Sequence, residues 1–166
     1  MLPLVSPGRV LVVGAVALLV SAGVVAGIGP QRALVVDGAE SGTTLLAVPV
    51  ENGTEVGLEY THSVERSRVY DGYTVRGDRL ENTRMAFESY GWGLPSRANV
   101  SRENGTLVYD PPGTFTEVYV HPGDIADHTL VVGERAYNLT AVAGGDSVRL
   151  HLRKRSGVER IRGVVG

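Results

Sequence analysis

The chain has 166 residues, 43% of them hydrophobic and 20% charged, a balance that excludes a disordered chain and fits one domain plus an appendage. It has no cysteine, which excludes disulfides, thiolate metal sites and a cysteine nucleophile. The net charge of −2 hides an acidic body, because acids outnumber bases 17 to 8 between residues 33 and 148, and a nucleic-acid partner is excluded for want of a basic footprint.

Residues 1–9 form a short N-terminus that ends in Arg9. Residues 10–28, VLVVGAVALLVSAGVVAGI, carry no charge. A bilayer core of ~30 Å needs roughly 20 apolar residues of helix, so this run predicts one transmembrane helix. With Arg9 on the cytoplasmic side, the remainder of the chain is expected outside the cell membrane. A cleaved signal peptide is the alternative, but its apolar core is usually only ~7–15 residues. Residues 29–41 read as a short stalk that could contribute a first strand, residues 42–155 as an extracytoplasmic domain, and residues 156–166 as a basic tail.

Beyond the stalk the pattern alternates with period two. In TEVGLEYTH, residues Val56, Leu58, Tyr60 and His62 share one face. In DSVRLHLR, residues Val148, Leu150 and Leu152 oppose Arg149, His151 and Arg153. Further strands are predicted at 43–50, 68–76, 79–89, 106–109, 114–121, 128–133 and 135–142. Turn residues such as Asn52-Gly53, Gly77-Asp78, Asn104-Gly105 and Pro122-Gly123 separate them. The expected fold is all-β: one antiparallel sandwich or partly open barrel of about nine short strands. The sequons at Asn52, Asn99, Asn104 and Asn138 are glycosylation candidates if the domain is exported, though several also read as Asn-Gly turns.

Three groups of residues invite a chemical reading. The segment LEYTHSVERSRVYDGY predicts a hairpin turning at Glu65-Arg66-Ser67. His62 and Asp71 then face one another on its apolar side. Such a pair serves either as an oriented general base or as a buried polar pair that sets strand register. HPGDIADH gathers His121, Asp124 and His128 as weak metal candidates, although the turn at Pro122-Gly123 argues against a preformed site. The only tryptophan, Trp92, lies between Gly91 and Gly93 just ahead of Pro95, as a binding anchor or a plug for one end of the sandwich. No nucleophile motif and no cofactor motif is present, and no cofactor is expected.

Tyr60-Thr61-His62-Ser63-Val64-Glu65, then Val69-Tyr70-Asp71, then Glu88-Ser89-Tyr90-Gly91-Trp92-Gly93-Leu94-Pro95 resemble the signature blocks of the domain-of-unknown-function family 1850. Arg68 stands where that pattern has proline, Asp71 where it has glutamate, and Tyr90 where it has phenylalanine. The resemblance implies a small extracytoplasmic protein encoded beside the permease of a tripartite ATP-independent transporter of the TAXI type. It also implies a functional centre that includes Tyr60, His62, Ser63, Glu65, Asp71 and the Gly91–Pro95 loop. The preferred expectation is a membrane-anchored, non-enzymatic accessory or binding module for organic-anion uptake. The alternatives are a His62/Asp71-dependent hydrolase or metal enzyme, and an envelope structural protein.

Overall fold

The computed structural model describes residues 29–89 and 100–162. The apolar run at 10–28, the Gly91–Pro95 loop and Asn99 lie outside them. Among the described residues no helix is long and apolar enough to cross a membrane.

Two compact units are present, and the larger comprises Arg32–Lys154. Its strands are β1 (Arg32–Gly38), β2 (Thr44–Val50), β3 (Glu55–Thr61), β4 (Arg68–Arg76), β5 (Arg79–Phe87), β6 (Ser101–Glu103), β7 (Thr106–Tyr109), β8 (Thr114–Phe115), β9 (Glu117–Val120), β10 (Thr129–Val132), β11 (Arg135–Asn138) and β12 (Val148–Lys154), with helix α1 at Leu139–Ala143. They build a four-stranded sheet, β2-β1-β12-β9, and an eight-stranded sheet, β11-β10-β3-β4-β5-β7-β6 with β8 on β5. All the pairings are antiparallel, so the expected all-β fold forms, as two sheets and with twelve strands among the described residues where about nine were expected.

The inner faces meet in one core. Leu34, Val36, Val48, Val50, Val148 and Leu150 of the smaller sheet cluster with Val56, Leu58, Tyr73, Val75, Leu80 and Leu130 of the larger. Each fully buried aliphatic contributes about 1.5–3 kcal/mol. A second cluster, Val69, Phe87 and Leu107, is built among the described residues on the larger sheet, with Val100 beside it. The smaller sheet therefore covers only part of its neighbour's inner face.

Three segments depart from the alternation-based expectation, and a fourth goes further than it. The stalk does contribute a first strand, β1, but this strand lies in the interior of the smaller sheet between β2 and β12. Its unbroken LVV run has both faces buried, and such a strand shows no alternation to betray it. The expected strand at 114–121 divides at Thr116. Phe115 stays on β5 while Glu117 joins β12, so the chain changes sheets there. The expected strand at 135–142 ends at Asn138, whose side chain accepts the Ala141 N–H (2.8 Å) and caps α1. Short β6 was not anticipated. It pairs with β7 across Asn104-Gly105, both at positive φ (49° and 92°), the two-residue loop that Asn-Gly favours.

On the outer face of the larger sheet, Gly57 and Gly72 are direct partners across β3 and β4. The Tyr70 ring lies over both: a Cβ at Gly57 would stand 2.5 Å from its Cε2, and one at Gly72 would stand 2.8 Å from its Cε1. Only glycine tolerates that approach. The smaller unit contains, among the described residues, 29–31 and 155–162. Here the expected tail is partly helical, as α2 (Gly157–Arg162). Ser156 Oγ accepts the Glu159 N–H (3.3 Å) and Glu159 Oε2 accepts the Ser156 N–H (2.8 Å), a reciprocal cap that starts a helix.

Candidate functional site

The β3–β4 hairpin turns earlier than the sequence suggested. Thr61 pairs with Arg68, and the His62 N–H donates to Ser67 O at 2.8 Å, so the tip is Ser63–Arg66. Arg66 takes positive φ (52°). His62 Nδ1 accepts the Glu65 N–H at 3.2 Å and so braces the turn. This register sets Asp71 opposite Leu58, four residues along β3 from His62, or about 13 Å at ~3.3 Å per residue. The expected His62–Asp71 pair is therefore not formed, because the pairing is set three residues away from the one that a Glu65-Arg66-Ser67 turn would give.

Asp71 is paired with Tyr60 instead. The Tyr60 hydroxyl donates to Asp71 Oδ2 at 3.1 Å, a diagonal reach across the strand pair. Asp71 stands on the inner face between Leu58 and Met85, where the main core gives way to the second cluster. Burial pushes its carboxyl above the ordinary carboxylate range, against the opposing pull of the Tyr60 hydrogen bond. Among the described residues no basic side chain pairs with it. Burial, and then the Asp71 charge, push the Tyr60 hydroxyl up strongly and Tyr73 up to about 12, so both phenols stay protonated donors at neutral pH.

The other side of Tyr60 is built by the β9–β10 loop. The His128 ring stacks on Tyr60 with centroids 4.9 Å apart and 18° between planes. Thr140 Oγ1 accepts the His128 N–H, and His128 O accepts the Leu139 N–H, which ties the loop to the start of α1. Ala126 O accepts the Thr61 N–H at 2.8 Å. Burial lowers the His128 pKa, leaving a neutral ring. His121 is turned to Ser147 Oγ at 2.9 Å. His121, Asp124 and His128 are not gathered, and no metal-holding group of three appears among the described residues.

The signature residues Tyr60, His62, Ser63, Glu65 and Asp71 thus share one end of the larger sheet. The second block starts there too, since the Ser89 and Ser67 hydroxyls lie 3.2 Å apart. Two exposed aliphatics mark this end: Val64 on the hairpin tip, 67% exposed, and Ile125 on the β9–β10 loop, 71% exposed. Three of the four sequon asparagines have structural roles. Asn52 Oδ1 accepts the Gly77 N–H at 2.8 Å, Asn104 forms the β6–β7 loop and Asn138 caps α1.

A second polar group was missed. On the outer face of the smaller sheet, Asp37 accepts hydrogen bonds from Thr44 (2.8 Å), His151 (2.8 Å) and Arg149 (3.2 Å). Arg149 also reaches Glu117 at 3.2 Å, and Tyr119 donates to Glu117 at 3.0 Å. The row crosses all four strands. Burial alone would raise the Asp37 carboxyl, but the hydrogen bonds from His151, Thr44 and Arg149 hold it below its ordinary value. The signal was a lone acid closing the apolar run LVVD.

Asp71→Asn tests the environment of the inner carboxylate. A folded-state pKa above the unfolded one gives stability that is full below the unfolded value and is lost as pH rises through the folded value. Asparagine can still accept from Tyr60 but does not ionise. The variant should therefore melt above the parent at pH 7.5, by a few degrees at most, and the gap should close near pH 4. Melting curves that stay parallel across this range would contradict the assignment.

Residues 56–139 match the family model described as Domain of unknown function (DUF1850). No curated protein and no solved structure matches the chain.

Proposed function

The chain belongs to that family, and on this premise we propose that it is a membrane-anchored, extracytoplasmic accessory module without enzymatic activity, which docks on the permease of a tripartite solute transporter. The contact is made by the signature end. One observation carries this reading: His62 and Asp71 of the signature are engaged within the fold, while aliphatic tips at the same end face solvent. Asp71 is held by Tyr60 and His62 Nδ1 by the Glu65 amide, whereas Val64 and Ile125 project from neighbouring turns. Exposed aliphatics on neighbouring turns are suited to a protein contact. The uncharged run at 10–28 behind Arg9 supplies the anchor in this reading.

The test is co-purification of the full chain with the transporter's membrane component. A Val64→Glu/Ile125→Glu double variant should lose at least ~10-fold of the captured permease, the consequence of about 1.4 kcal/mol of lost contact. Both positions are surface turns, so the melting temperature should stay within ~2 °C of the parent. Undiminished capture would remove the docking reading.

A further inference from the structure

The inner carboxylate offers more than a structural bond. Asp71 is half-buried among Leu58, Val69 and Met85, with one hydrogen bond from a neutral phenol and, among the described residues, no cation beside it. A carboxylate in such surroundings is costly unless a positive group or a proton completes it. The inner faces of a sandwich are normally closed, yet Tyr60, Asp71, Met85 and Tyr109 are all only partly buried. They lie where the cover of the smaller sheet ends, beside the second cluster on the larger sheet.

From this geometry we propose that Asp71 is the counter-ion of a binding site for a small organic ammonium ion. Tyr60, partly buried and stacked on His128, supplies aromatic surface of the kind that attracts such cations. Met85, opposite Asp71, supplies a polarisable apolar wall for the alkyl groups. A metal ion is the poorer occupant, since one carboxylate among apolar side chains lacks the several oxygen or nitrogen ligands that a metal requires. The site does not include the exposed tips and does not depend on the docking role.

The experiment uses the full chain in detergent, melted in increasing tetramethylammonium or n-butylammonium chloride, with sodium chloride of equal ionic strength as reference. The melting temperature should rise with the logarithm of ammonium concentration, as ligand linkage requires, and stay flat in sodium chloride. Asp71→Asn should abolish the rise, while Val64→Glu/Ile125→Glu should keep it. Met85→Lys, which would set the chain's own ammonium opposite the carboxylate, should also abolish it and decides the matter should Asp71→Asn fail to fold. An equal rise in sodium chloride, an equal rise in Asp71→Asn, or no rise with either ammonium probe would overturn the proposal.

Discussion

A chain that begins at residue 42, where the sequence pattern places the end of a stalk, is expected to show no cooperative unfolding transition. Such a chain lacks β1, which is hydrogen-bonded to β2 on one side and β12 on the other. Its loss leaves β2 without a neighbour in the smaller sheet. It also removes Leu34 and Val36, both 0% exposed, from the core. Leu34→Ala alone should cost about 3–4 kcal/mol. Deleting the whole strand therefore exceeds what a domain with ~5–15 kcal/mol of net stability can lose. Thermal melts by circular dichroism would decide it, and a sharp two-state melt in the truncated chain would contradict the placement of β1.

Asp37→Ala should cost about 3 kcal/mol, the loss expected when a buried, paired carboxylate is removed and its donors lose their acceptor. Asp37 is 6% exposed and accepts from Thr44, Arg149 and His151. The effect has a pH signature. Because the folded state holds this carboxyl below its ordinary value, its stabilisation is present above the unfolded pKa of ~3.9 and fades as pH falls through the folded one. The parent should therefore lose stability below about pH 4 more steeply than Asp37→Ala does. Denaturant melts at pH 7 and at pH 3 would reveal this, and equal acid sensitivity would count against the pairing.

Much of the fold was legible in the residue pattern, for identifiable reasons. Val56, Leu58 and Tyr60, and Val148 and Leu150, alternate with polar residues because one face of each strand meets the core and the other meets water or charge. Turns were legible wherever Asn-Gly or Gly-Asp supplied positive φ, as at Asn104-Gly105. β1 was legible only as a strand that the stalk could contribute, because a strand buried on both faces has no period. The split at Thr116 and the helix after Asn138 are set by packing and by a single cap, and alternation does not encode either. The candidate site was half legible. Tyr60, His62 and Asp71 do share one end of the larger sheet, but their pairing depends on where the hairpin turns. A tip at Ser63–Arg66 rather than Glu65–Ser67 exchanges a His62–Asp71 contact for a Tyr60–Asp71 contact. His128 was placed in a metal cluster because its stacking on Tyr60 joins residues far apart in the chain.

The ring of Tyr70, flat over Gly57 and Gly72, makes the central hairpin self-checking as it assembles. Sliding β3 by two residues keeps every side chain on its proper face, so the hydrophobic pattern alone does not forbid it. After such a slip the ring would settle on Glu55 or Glu59, where a side chain already occupies the space. The two bare positions therefore act as a keyway that admits the tyrosine in one alignment, and that alignment is the one that carries Tyr60 to Asp71.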